Sequence, residues 1–142
     1  MSHSKALQDW HRVVFQQDLQ TLRSLLDENV TFHTPLYLKP RVGRDIVTAV
    51  LAAAISNFQD FKYFREWITP DGLNWALEFE ANVEERKIKG VDLIRWEIKN
   101  GEWKIVEFEV MLRPVKQLVR FGQLQASKIP EVIKQMGFKV KL

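Results

Sequence analysis

The sequence predicts an α+β protein: a cone-shaped barrel made of a strongly curved, mostly antiparallel sheet, with N-terminal helices packed across its concave face. Three observations carry this. Apolar residues recur at helical spacing through the first quarter of the chain. From Phe58 to Leu112 the apolar period changes to two. Tight-turn sequences, Pro70-Asp71-Gly72 and Asn100-Gly101, separate the alternating runs, the second being a strong two-residue hairpin signal. Helices followed by one strand, a further helix and four long strands can bury their apolar faces by laying the helices across a bent sheet. A cone of this kind encloses a cavity.

Taken in order, Leu7, Trp10, Val13 and Val14, then Leu19, Leu22, Leu25 and Leu26, predict one or two amphipathic helices from about Ser4 to Asp27, with Asp18 placed to cap the second. Val30 to Thr34 predicts a short strand ended by Pro35, and Pro35 to Gly43 a loop carrying Tyr37 and Pro40. A helix follows from about Arg44 to Ser56. Phe58 to Thr69, Leu73 to Glu84, Lys87 to Lys99 and Glu102 to Leu112 predict four strands in an antiparallel meander, closed by Pro114. Val115, Leu118, Val119 and Gly122, and later Ile129, Val132, Ile133 and Met136, predict two short helices, the second ended by Gly137.

Composition bounds the function classes. At 142 residues and 46% hydrophobic, with five Trp and nine Phe, the chain is expected to form one domain over residues 1–142, with a helical extension from about 114 to 142. No stretch approaches the roughly 18 apolar residues of a membrane helix, and residues 1–11 lack the basic-then-apolar pattern of a signal peptide. A soluble, cytoplasmic protein without membrane partners is expected. With no Cys there is no disulfide, thiolate nucleophile or sulfur-ligated metal. The net charge of +3 is a property of the tail, since residues 113–142 hold seven Lys/Arg against Glu131 alone. Lys116, Arg120, Lys128 and Lys134 fall between apolar residues as on a solvated helix face, so no nucleic-acid partner is expected. His3, His11 and His33 form no metal-ligand spacing, and no Gly-rich phosphate loop occurs; no metal and no other cofactor is expected.

Alternation assigns the faces of the sheet. Trp75, Leu77, Phe79, Ala81 and Val83 should face the helices, as should Val106, Phe108, Val110 and Leu112 on the last strand. On the strand between them Asp92, Ile94, Trp96 and Ile98 share the inward face, so Asp92 is expected to be buried. The outer set, with Val91, Leu93 and Met111 among charges, is too apolar for a freely solvated face. A homodimer through the outer sheet face is expected.

Three stretches carry a resemblance over roughly residues 10–115: Gln17-Asp18-Leu19 through Leu25-Leu26; Val30-Thr31-Phe32-His33-Thr34-Pro35 with Pro40-Arg41-Val42-Gly43; and Gly90-Val91-Asp92-Leu93-Ile94-Arg95-Trp96. Here the chain resembles SnoaL-like and ketosteroid isomerase-like proteins of the nuclear transport factor 2-like superfamily. Ketosteroid isomerases use a carboxylate base together with a Tyr and a protonated Asp that bond the oxyanion. The resemblance places the base at Thr34, the Tyr at Trp10 and the oxyanion Asp at Asp92. A Thr hydroxyl is no proton base near neutral pH, so steroid isomerisation by that mechanism is not expected. The Asp that the cyclases carry on the last strand is met here by Phe108, Val110 and Leu112. The Arg of the limonene epoxide hydrolases, two residues before Asp92, is met by Gly90.

The candidate site follows. Asp92 is either a ligand-facing acid or hydrogen-bond donor, or a buried carboxyl satisfied by Trp or backbone donors. His33 is a second acid/base candidate, although alternation turns it outward unless the Pro35 loop reverses it. Tyr37 either covers the cavity mouth or anchors its loop. Trp10, Phe58, Trp75, Phe79, Trp96 and Phe108, with Ile94, Val110 and Leu112, either line a pocket or fill a core. The expected function is binding of a small apolar ligand, ring-like or acyl, in an enclosed pocket, with Asp92 and either Thr34 or Tyr37 making polar contact. Two alternatives stand beside it: an isomerase, cyclase or dehydratase with a relocated acid/base pair, and a dimeric protein-interaction module.

Overall fold

The computed structural model describes residues 3–137. Helix α1 (His3–Gln16) buries Ala6, Trp10, Val13 and Val14, one stripe at i, i+4, i+7 and i+8. Gln17, at a φ of 52°, breaks the helix. Asp18 then caps α2 (Leu19–Leu25), its Oδ1 accepting from the Thr21 N–H at 3.1 Å. The helix ends at Leu25, short of the expected Asp27, because Leu26 is already extended and opens β1 (Leu26–His33). Thr34 lies just past that strand. The segment expected as loop contains a further strand, β2 (Arg41–Val42), paired antiparallel with Thr31 and Phe32. Two residues are too few to show a period.

Helix α3 (Arg44–Asn57) is apolar on all sides, and residues 46–53 are all buried, as a helix inside the molecule requires. Four strands follow: β3 (Gln59–Ile68), β4 (Asn74–Val83), β5 (Arg86–Lys99) and β6 (Glu102–Arg113). The sheet runs β2-β1-β6-β5-β4-β3 and is unclosed; β1 and β6 are parallel and every other pair is antiparallel. Asn100 and Gly101 have φ values of 54° and 79°, the paired positive values a tight hairpin turn needs. Glu84 and Glu85, at 49° and 68°, turn the β4–β5 hairpin without either favoured residue.

The register shifts in β1, β3 and β6, and two of the shifts, each of a single added residue, bear on the site and the core. Phe64 is unpaired between Tyr63↔Phe79 and Arg65↔Glu78, and Val106 is unpaired between Trp96↔Ile105 and Arg95↔Glu107. Bulges bend a strand and reverse its alternation. Val106, expected inward, is therefore only half-buried, and its neighbour Ile105 is fully buried in its place. Ile98, also expected inward, is 54% exposed. It sits near the hairpin end, where its register partner Trp103 packs beneath Trp96 at 6.0 Å and takes the buried space.

The C-terminal segment is one helix, α4 (Val115–Met136), rather than two. Its buried stripe runs through Phe121, Gln125, Val132 and Ile133. The polar Gln125 interrupts the apolar pattern at the point where the sequence suggests a break. Pro130 lies inside the helix, and Gly137, at a φ of 73°, ends it in the left-handed conformation. Lys139 and Lys141, part of the expected basic tail, lie outside the described residues.

Candidate functional site

The sheet's concave side and the helices leave a cavity of about 40 Å³. Its walls come from every layer: Trp10 and Val14 of α1, Val50, Leu51, Ala54 and Ile55 of α3, Phe121 and Gln125 of α4. The sheet adds Phe32, Phe61, Tyr63, Asp92, Phe108 and Val110, and Thr34, Pro35 and Phe58 come from the connections. The lining is apolar apart from the Trp10 indole, Thr34, Tyr63, Asp92 and Gln125.

Asp92 is placed there by register, for it lies opposite Leu77 on one side and Val110 on the other, both on the sheet's inward face. It is 6% exposed. Its Oδ2 accepts from the Tyr63 hydroxyl at 2.5 Å, and Tyr63 Oη accepts from Trp10 Nε1 at 2.9 Å. The direction of this chain is fixed by chemistry. An indole N–H can only donate and an ionised carboxylate can only accept, so with Asp92 charged the Tyr63 proton points to the carboxylate. Among the described residues Oδ1 has no hydrogen-bond partner and is left for the cavity.

Burial pushes the Asp92 carboxyl up to about 7, with the Tyr63 hydrogen bond pulling partly the other way. Burial and the neighbouring Asp92 charge drive the Tyr63 hydroxyl well above its ordinary value. A neutral Asp92 that keeps the Tyr63 bond on Oδ2 carries its proton on Oδ1. It can then donate to a carbonyl; once ionised, it accepts from a hydroxyl.

Of the other residues singled out by sequence, the structure brings Trp10, Thr34, Phe58, Phe108 and Val110 into the lining beside Asp92. Trp75, Phe79, Ile94, Trp96 and Leu112 are not in it. Phe79 stacks behind Phe61 at 4.6 Å, so Phe61 presents the surface. Trp75 and Trp96 pack on each other at 4.8 Å, with the Trp75 indole donating to Gly72 O. Ile94 is buried beside them in the core, and Leu112 lies over Gly90, where an added Cβ would meet it at 2.7 Å. Tyr37 is turned away from the cavity, half exposed, and its hydroxyl accepts from Arg41 at 2.9 Å. His33 stays on the outer face, as alternation requires, with Nε2 2.9 Å from Glu107 Oε2 and Arg95 on the same carboxylate. It is no partner for Asp92.

Tyr63 was not singled out by sequence. The Phe64 bulge directly after it breaks the period of β3, and a strand with most of its residues exposed shows no apolar face to read. The usable signal was chemical: a buried carboxyl wants a donor, and Tyr63 is the hydroxyl on the strand beyond β4. Among the described residues no group of three His, Asp or Glu side chains converges as a metal site would require.

The model of the SnoaL-like domain family matches residues 7–108. Among solved structures the chain is similar to a steroid delta-isomerase from Pseudomonas aeruginosa, with 34% identity, 93% of this chain and 94% of that one covered, and a TM-score of 0.83. It is 36% identical to an uncharacterized bacterial protein with a cystatin-like fold from Silicibacter pomeroyi DSS-3, covering 85% of this chain and 82% of that one, with a TM-score of 0.76. A nuclear transport factor 2-like protein of unknown function from Mesorhizobium loti shares the fold at 15% identity, with 79% and 91% covered and a TM-score of 0.66. A search of the curated proteins finds no match.

Proposed function

Because this chain belongs to the SnoaL-like domain family, we propose that it binds a small, mainly apolar ligand, ring-like or acyl, whose polar group rests against Asp92 and Tyr63. The observation that carries this is a buried carboxyl with one oxygen bonded to Tyr63 and the other left for an otherwise apolar cavity. Protein interiors rarely leave such a group half satisfied. A water needs roughly 10–15 Å³ of such space, so a cavity of about 40 Å³ has room for about three waters and is the starting space for a ring. A larger ligand enters by displacing side chains.

A second reading is proton transfer. It is favoured by the Asp92 carboxyl near 7, poised to take and return a proton near neutrality. The similar structure from Pseudomonas aeruginosa is named a steroid delta-isomerase. Thr34 supplies no base and His33 faces away, so on this reading Asp92 acts alone. We also propose that two chains associate through the outer sheet face.

The test is thermal stabilisation of wild type, Asp92→Asn and Tyr63→Phe by steroids, polyketide-like phenols, terpenoids and fatty acyl compounds. Stabilisation of wild type that is lost or much reduced in both variants is expected. Equal stabilisation of all three proteins would remove Asp92 and Tyr63 from the site. No stabilisation by any class would remove the binding function.

A further inference from the structure

The cavity has a second polar wall, made by a residue beyond the stretch that matches the family. Gln125 of α4 is 3% exposed and lines the cavity. Its amide has two N–H donors and an oxygen with two lone pairs. The protein uses half of that capacity: Oε1 accepts from Asn57 Nδ2 at 2.7 Å, and Nε2 donates to Val50 O at 3.3 Å. Both partners belong to α3, one at its end and the other two turns earlier, so the amide plane is fixed. The second N–H and the second lone pair have no partner among the described residues. On the α4 stripe, between Phe121 and Val132, an apolar side chain would bury its surface without leaving polar capacity unmet.

We propose that Gln125 is a specificity-determining residue of this cavity, and that its ligand carries two polar groups: one for Asp92 and Tyr63 on the sheet, one for the Gln125 amide on α4. This rests on the ligand-binding function proposed above and narrows it to an apolar scaffold bearing a hydroxyl or carbonyl at two separated positions. Because Gln125 offers both a donor and an acceptor, either group suits it. Since the match to the family ends at residue 108, this selectivity lies outside the part shared with that model.

The competing role for Gln125 is a clamp that ties α3 to α4 and touches no ligand. Calorimetric titration separates the two, with 2-naphthol as the one-hydroxyl probe and 2,6- and 2,7-dihydroxynaphthalene as the two-hydroxyl probes, on wild type and Gln125→Met. Wild type should prefer at least one dihydroxy probe over 2-naphthol by roughly three- to ten-fold, the worth of one buried hydrogen bond. Gln125→Met should lose that preference, its ratio of dihydroxynaphthalene to 2-naphthol affinity falling to about one. Equal weakening of all probes, or no preference in wild type, would overturn the proposal. Should Gln125→Met fail to fold, the wild-type side-chain amide resonance of Gln125 carries the test: it should shift with a dihydroxy probe and not with 2-naphthol. If no naphthol binds wild type, the cavity function falls for these rings and this proposal with it. Binding without discrimination sinks this proposal alone.

Discussion

Asp92 ties stability to pH with an unusual sign. The folded protein keeps this proton up to about pH 7, whereas the unfolded chain releases it near 3.8. The folded state therefore binds more protons in that window, and stability falls as pH rises through it, flat below and above. At one pKa unit per 1.36 kcal/mol, the full shift amounts to on the order of 4 kcal/mol. Asp92→Asn removes the term, and subtracting the variant from wild type cancels the depressed carboxyls such as Asp18 and Asp27, which slope the other way. Urea unfolding of both proteins should show the variant gaining roughly 2–3 kcal/mol on wild type between about pH 5 and about pH 8. Parallel stability curves would mean an ordinary carboxyl and no apolar enclosure. The acid was legible in sequence because it is the one charge on an apolar strand face. Its partner was not, because Tyr63 abuts a bulge, and hydrogen-bond partners from distant strands leave no mark on either strand's own pattern.

At the scale of elements, the helices were legible where a cap or a stripe announced them. Asp18 is such a cap: it satisfies the Thr21 N–H and hydroxyl and also takes an Arg12 contact at 3.2 Å. Asp18→Ala should cost about 1–2 kcal/mol in chemical denaturation, without changing ligand affinity, since α2 contributes nothing to the cavity. A loss below a few tenths would mean that α2 is held by Leu22 and Leu25 alone. The strands were legible in extent but not in phase. One added residue, Val106 in β6, exchanged the faces of Val106 and Ile105, and nothing in a sequence of alternating apolar and charged residues marks where a ladder skips. The same limit applied to α4, where one buried amide looked like a gap between two helices. In each case the error fell where a polar or unpaired residue serves geometry rather than burial.

The whole molecule is asymmetric in how it treats its two sheet faces. The inner face is covered by helices, whereas the outer face leaves Phe64, Trp67 and Met111 about half exposed, with Val91 and Leu93 half-buried among them. Val91 and Met111 are register partners, so their side chains form one patch. Several of the charges around it are already paired, Arg65 with Glu78, Lys89 with Glu80, Arg95 and His33 with Glu107, whereas Glu109, opposite Leu93, has no ion pair among the described residues. Local pairing lowers the cost of covering such a face, and Glu109 is the charge that a partner must leave solvated or pair. The sheet is a single surface, so a second copy can meet it by two-fold symmetry, with the Val91 and Met111 patch presented by both partners. Light scattering should therefore give twice the chain mass for wild type at micromolar concentration. Met111→Glu should give the single chain mass with little change in monomer fold, because a carboxylate at 111 is solvated in the monomer and desolvated in the pair. A wild type that scatters as one chain at those concentrations would end the homodimer proposal, and a dimer untouched by Met111→Glu would move the contact elsewhere.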